Sequence, residues 1–505
     1  MQSFQNEIIY NVRDVMKEPV EPLQVKGNSM LTSKISMLIV FAAVLAGLSP
    51  AYLFTYAYLD DYTLLQQMMQ GSYQGFGWDI ISGRPGYALL RMMAFEISSN
   101  MDSLAWIRLF ASASVAMIGI YLFSFLSRRQ ILRNNAERIT LSILACLIPS
   151  LQLYAAWVTC FPFALSVLLS LASYDMLTSR MKINAVVKAI ISSALIILSF
   201  SIYQPAAMCF LAFVFVDNCL DEQRISYKKL ILSFIVACIG MASSVFMAKV
   251  IPMRMYGHTL DRAAITHDIP GKLDWFIHQP LVMALKNYFI TAGDVYVSLS
   301  VVVILIGMAS FFNGKSPFEK VFLAILLAIG SFSLNLAIAE SWAAYRSLIG
   351  MSMIVSTLFT LGLIRIAFSA GRFRPALLIA VSVTAIVSSQ YNIMRGFVIP
   401  QKGELQALSS EFTRVIPKDF AGTVMFDLSN PTFYAFEKLQ ISDEFGGISS
   451  AAPWVIGGMA DYIKKNKGFN FQIPVDPVVS DKNRCEKDCI IINTGNALRA
   501  ATPFY

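Results

Sequence analysis

Asp60 and Asp61 stand together where a long apolar run, roughly 35–58, gives out, and Gly77-Trp78 and Gly83-Arg84-Pro85 follow in the same connection. A carboxylate held at a membrane surface can take a proton from a hydroxyl, and two side by side raise one another's pKa, which moves one toward a useful base. Read as the end of the first span, the pair lies at a helix C-terminus, where a carboxylate opposes the macrodipole and is no natural cap. Arg84, stiffened by Pro85, offers a guanidinium suited to a phosphate diester or pyrophosphate. Trp78 offers an aromatic surface for a sugar ring. The plain alternatives are a solvated acidic pair ending a span, an arginine meeting lipid, and a belt tryptophan.

A short connection further on, Ala339-Glu340-Ser341-Trp342-Ala343-Ala344-Tyr345-Arg346, repeats the combination of acid, aromatic and cation. Glu340 and Arg346 are its only charges, and an outward cation in so short a turn reads as a ligand for something anionic, with simple ion pairing as the alternative. The long connection 252–293 carries Arg254, His258, Asp261, Arg262, His267, Asp268, Asp274 and His278, so it holds all three histidines. No H-x-x-x-H or H-E-x-x-H spacing occurs there, so no metal ligands are assigned. There is also no Walker motif, G-x-G-x-x-G or G-x-S-x-G, which argues against nucleotide-driven or α/β-hydrolase chemistry. No cofactor is expected.

The elements that must position these residues are membrane helices. Only 14% of the 505 residues are charged, against about 25% in a soluble globular chain. Apolar stretches near the ~20 residues that cross a bilayer recur at about 35–58, 104–127, 139–157, 161–178, 186–202, 206–220, 230–251, 294–312, 319–339, 347–368 and 375–394, roughly eleven in all. The segment 185–220 is read as two passes broken at Tyr203-Gln204-Pro205, because proline starts a helix easily and breaks one internally. The net charge of +8 is a matter of topology. Arg128, Arg129, Arg133 and Arg138 fill one connection, Arg180, Lys182 and Lys188 another, and Arg224, Lys228 and Lys229 a third. Basic loops after every second span are the positive-inside pattern, not a nucleic-acid surface.

This reading places a cytoplasmic N-terminal segment at 1–34, with no cleavable signal at its start and the first span as an uncleaved anchor. A membrane domain with the chemistry occupies 35–395, and its outer loops are 59–103 and 252–293. A small α/β domain at 396–505 lies outside the cytoplasm, with strands at Val424–Leu428 and Ile490–Asn493 and a helix at Gly403–Val415. Cys146, Cys160, Cys209, Cys219 and Cys238 lie in or beside spans as free thiols, whereas Cys485 and Cys489 are close enough in the polar tail for a local disulfide. Long loops sharing one face favour an enzyme over a transporter, whose ionisable residues are expected along a mid-membrane pathway.

Asp60-Asp61-Tyr62, Gly77-Trp78 and Gly83-Arg84-Pro85, with Ser201-Ile202-Tyr203-Gln204-Pro205 and Tyr345-Arg346-Ser347-Leu348 further on, resemble the membrane glucosyltransferases that decorate bacterial O-antigen in serotype conversion. These belong to the GT-C class of multi-span glycosyltransferases, and the resemblance covers roughly 35–370. A basic residue often follows the acidic pair in that family; here Tyr62, Thr63, Leu64 and Leu65 follow instead. The resemblance implies a GT-C-like helical fold in the bacterial inner membrane with the C-terminal domain in the periplasm. It also implies an undecaprenyl-phosphate sugar donor, usually glucose, and a lipid-linked O-antigen acceptor. Asp60 or Asp61 would be the base, Arg84 and Arg346 the grip on the leaving phosphate, and Trp78, Tyr203, Gln204, Glu340, Trp342, Arg254 and His258 the substrate contacts.

Overall fold

A computed structural model describes residues 29–71, 75–98, 100–260, 264–429, 442–479 and 488–500. Among them eight helices are long and apolar enough to cross a bilayer, and the pair Asn135–Cys146 and Pro149–Ala156, bent by 59°, makes a ninth. The bend falls before Pro149, which has no N–H with which to continue the preceding helix. Two of the eleven expected spans are shorter elements, Gln204–Cys219 and the 14-residue Pro317–Gly330. The chain is a multi-pass helical membrane protein.

The expected break at 203–205 is present. Helix Ala185–Ile202 stops at Tyr203, which is extended (φ −155°, ψ 114°), and Pro205 lies in the first turn of the next helix. Apolar helices have little hydrophobic reason to associate in lipid, so small and hydroxylated side chains make the joins. Between Phe161–Thr178 and Ala185–Ile202 the Ser166 hydroxyl donates to the Ser199 carbonyl at 2.9 Å, and the Ser173 hydroxyl to the Ser192 carbonyl at 2.8 Å.

The final span runs straight into the polar part of the chain. Arg374–Ile393 passes through a π-helical stretch, Met394–Val398, into Ile399–Val415. The boundary expected at 395/396 therefore falls inside one continuous helix. Beyond it β1 (Thr423–Asp427) and β2 (Cys489–Asn493) pair in parallel, Thr423 opposite Cys489, close to the strands expected from sequence. Helices Pro453–Lys467 and Thr494–Ala500 complete this C-terminal unit. Cys489 is disulfide-bonded; Cys485 lies outside the described residues. The five span cysteines are free.

Among the described residues the unit shares its core with the membrane part. Leu408, Phe412, Val424, Phe426, Val455, Met459 and Ile492 are buried in one cluster with Tyr62, Leu64, Leu65, Phe95 and Leu104 of the membrane part. At the centre of this join a Cβ on Gly458 would come within 2.6 Å of the Tyr62 carbonyl oxygen, so only glycine lets the two helices approach this closely. The loop 252–293 also carries helices, Ile269–His278 and Pro280–Leu285, while Asp261 and Arg262 lie outside the described residues. Residues 264–266 within it are tied to the chain at 337–339, with the Thr266 N–H donating to the Ala337 carbonyl at 3.0 Å and the Ala339 N–H to the Ala264 carbonyl at 2.8 Å.

Candidate active site

The first span ends at Leu53, well before the acidic pair. Leu59, at φ 46° and ψ −120°, redirects the chain, and Asp60 and Asp61 form the first turn of a new helix, Asp60–Met69. This corrects the placement at a helix C-terminus: the pair faces the positive end of a macrodipole, where carboxylates are favoured. The two acids have different surroundings. Asp61 is fully buried and accepts the backbone N–H groups of Tyr58 at 3.1 Å and Thr159 at 3.3 Å. Burial lifts its pKa to about 7, against the nearby Arg108 cation and those two donors, with Asp60 adding to the rise. Asp60 is half-buried, and its Oδ1 accepts the indole N–H of Trp454 at 2.9 Å. Of the pair, Asp60 is the one a substrate can reach.

Arg84, Tyr203 and Gln204 meet as a group. Arg84 Nε donates to Gln204 Oε1 at 3.3 Å, Gln204 Nε2 donates to the Gly83 carbonyl at 3.0 Å, and the guanidinium lies 4.9 Å from the Tyr203 ring centre. The extended break at residue 203, which sequence placed, is what turns this tyrosine and glutamine toward the 83–85 loop.

Arg346 lies over two tryptophans, 5.4 Å from the Trp157 ring and 4.8 Å from that of Trp342. Its Nε is 3.1 Å from Glu444 Oε1, a carboxylate only 5% exposed. Glu444 comes from the C-terminal unit, in a tight turn where Ser442 and Phe445 exchange backbone hydrogen bonds at 2.9 and 3.1 Å. That turn is clamped from both sides: Tyr58 Oη donates to the Glu444 carbonyl at 2.8 Å, and the Tyr345 N–H to Asp443 Oδ2 at 2.7 Å. Burial pushes the Glu444 pKa well up, Asp443 adds to it, and Arg346 opposes. Sequence reading missed Glu444 and Asp443, because no local pattern links them to Arg346.

These groups converge on one end of the bundle. Arg84, Arg346 and Glu444 lie within electrostatic reach of Tyr203, and Arg346, Glu444, Asp60 and Asp61 within reach of Cys160. Two acids, two guanidiniums and the Glu444 carboxylate therefore surround the Cys160–Tyr203 region.

Trp78, 51% exposed, sits on helix Gly75–Ile81. Its neighbour Asp79 was also missed, although an acid directly after a selected tryptophan was a readable signal. Asp79 is buried against Arg91 at 2.6 Å, and Arg91 in turn donates to Tyr87 Oη at 3.1 Å. Burial raises Asp79 to about 7, with Arg91 and Arg84 opposing and Asp60 adding. This ion pair braces the loop that ends in Arg84. The remaining candidates lie apart. Glu340 is exposed, and its backbone carbonyl, not its carboxylate, receives Lys272 Nζ at 2.7 Å. Arg254 and His258 are exposed at the end of helix Tyr227–Tyr256, and the His258 ring contacts the Tyr256 carbonyl at 3.0 Å. No described contact joins these three to the cluster. Among the described residues no three His, Cys, Asp or Glu side chains are gathered as metal ligands.

No protein-family model matches this chain, and no curated protein does. Among solved structures it is similar to the crystal structure of an Archaeoglobus fulgidus oligosaccharyltransferase in complex with zinc and sulfate, at 13% identity and a TM-score of 0.43 over 76% of this chain and 60% of that one. It is also similar to the cryo-EM structure of the arabinofuranosyltransferase AftD from Mycobacteria, at 13% identity and a TM-score of 0.41 over 84% of this chain and 31% of that one. The chain thus spans less than two thirds of either. Neither likeness assigns chemistry to it.

Proposed function

We propose that this chain is a GT-C type membrane glycosyltransferase that moves a sugar, glucose by its sequence resemblance, from an undecaprenyl-phosphate donor to lipid-linked O-antigen. The observation that carries the reading is an accessible carboxylate, Asp60, on the same end of a membrane bundle as two guanidiniums, Arg84 and Arg346. In this reading that end faces the periplasm, the N-terminus is cytoplasmic, and residues 396–505 form the periplasmic domain. An exporter would instead need ionisable residues along a path through the membrane.

The reaction is a single displacement with inversion. The acceptor hydroxyl oxygen attacks the anomeric carbon as Asp60 takes its proton. The bond from that carbon to the phosphate oxygen breaks, and its electron pair leaves on undecaprenyl phosphate. Arg84 and Arg346 hold the phosphoryl oxygens as charge develops there, an interaction commonly worth a few kcal/mol of barrier. Asp61 supports the strained 58–61 turn by accepting backbone N–H groups, and Trp78, Trp342, Tyr203 and Gln204 line the approach. The energy comes from the sugar–phosphate bond.

The test is transfer from undecaprenyl-phosphate glucose to O-antigen by purified, correctly inserted protein. Asp60→Asn abolishes product, and Arg346→Ala raises the donor KM. Normal product from both Asp60→Asn and Asp61→Asn would refute the base assignment.

A further inference from the structure

The C-terminal unit reaches the acidic pair through Trp454. This residue opens helix Pro453–Lys467, directly after the proline in its first turn. Its indole N–H donates to Asp60 Oδ1 at 2.9 Å, and its backbone carbonyl accepts the Thr63 hydroxyl at 2.7 Å. Next to it, the Ser449 hydroxyl accepts the Leu59 N–H at 2.9 Å and donates to Gln401 Oε1 at 2.6 Å. Both ends of the Leu59–Thr63 turn are therefore pinned by the C-terminal unit.

We infer that Trp454 positions Asp60 for proton transfer and that its exposed indole face is the acceptor side of the site, fitted to the ring of a sugar. This inference rests on the transferase reading and deepens it. The geometry supports each half. An indole N–H is a donor only, so its bond fixes the Asp60 carboxylate in one orientation, with Oδ1 occupied and Oδ2 without a hydrogen bond among the described residues. The same bond anchors the edge of the ring at Asp60. Trp454 is nevertheless 61% exposed, so a broad apolar face stands beside the oxygen that is left to take a proton. Tryptophan combines such a face with a polar edge, and a pyranose, with its axial C–H surface and equatorial hydroxyls, matches both. A sugar seated there would present a hydroxyl to Oδ2. Through Trp454 the C-terminal unit is then part of the site, not an accessory to it.

The experiment uses the full-length protein in nanodiscs with two variants. Trp454→Phe keeps an aromatic face and removes the N–H; Trp454→Ala removes both, while the backbone bond to Thr63 is open to either. In the transfer assay Trp454→Phe lowers kcat about tenfold, as the loss of a hydrogen bond to a charged group commonly does, and leaves the acceptor KM unchanged. Trp454→Ala shows the same fall in kcat and raises the acceptor KM roughly fivefold or more. A readout without turnover accompanies these: an O-antigen oligosaccharide, added without donor, binds wild type and Trp454→Phe alike by saturation-transfer NMR and binds Trp454→Ala several-fold more weakly. An unchanged kcat in Trp454→Phe overturns the positioning role, and unchanged acceptor KM and binding in Trp454→Ala overturn the acceptor face. If wild type transfers sugar and Asp60→Asn does not, the transferase reading stands whatever Trp454 does. A wild type that transfers nothing overturns both.

Discussion

Arg346 Nε and Glu444 Oε1 lie 3.1 Å apart, the first in a short turn between spans and the second in the C-terminal unit. The contact engages Nε, the side of the guanidinium, while Trp157 and Trp342 pack near its faces. Glu444 thus holds the guanidinium in place from its edge. A carboxylate that is 5% exposed is costly without its partner, and breaking such a pair from one side commonly costs about 3–5 kcal/mol.

Arg346→Ala should therefore lower thermal stability in detergent as well as donor use, because it strands Glu444. The double variant Arg346→Ala, Glu444→Gln should recover most of the lost stability and none of the donor use. Equal unfolding temperatures for wild type and Arg346→Ala would mean that the pair does not support the fold.

Asp61 and Asp79 predict a pH dependence. Both are lifted by burial to about 7, from an unfolded value near 4. Between those values the folded chain holds protons that the unfolded chain has released. Stability therefore falls as pH rises from about 4 to about 7, by at most ~1.4 kcal/mol per pH unit for each group, and is level above that range. Thermal unfolding at pH 5, 6, 7 and 8 would show the trend, and Asp61→Asn should reduce it, with Asp79 still contributing. A slope in wild type that Asp61→Asn leaves intact would assign the effect elsewhere.

Gly83 governs where Arg84 sits. Its φ is +75°, and a Cβ there would lie 2.7 Å from the Ala248 Cβ and 2.8 Å from the Ala248 Cα. Backbone cannot yield as a flexible side chain would, so Gly83→Ala must displace the loop, at roughly 1–3 kcal/mol. The expected outcome is a raised donor KM with the acceptor KM unchanged. An unaltered donor KM in a folded Gly83→Ala protein would remove Arg84 from the phosphate grip.

Several features were legible from local pattern or from the confinement of loops to the bundle ends. In a bilayer every backbone polar group must be satisfied within a helix, so apolar length alone marked out the spans, and the proline after Tyr203 marked the break. Arg84, Tyr203 and Gln204 meet because loops between spans are confined to the two ends of a bundle, and Trp342 lies beside Arg346 within one short turn. Residue type alone was a weaker guide: Glu340, Arg254 and His258 have suitable chemistry and lie apart from the cluster. Reading Asp60-Asp61 as the end of the first span also failed, because apolar character continues past Leu53 while the helix does not.

By itself, the sequence determined a multi-pass helical chain with polar loops rich in acids, cations and tryptophans. Tertiary structure alone decided which of those loops share a site. Glu444, Asp443 and Trp454 reach the membrane part through contacts between residues far apart in the chain, and the Asp79–Arg91 pair is visible only once two helices fold together. Composition and periodicity report a residue's preference for lipid or water. They do not report which distant backbone will lie within 3 Å of it, since that follows from the packing of a core that the membrane part and the C-terminal unit build jointly.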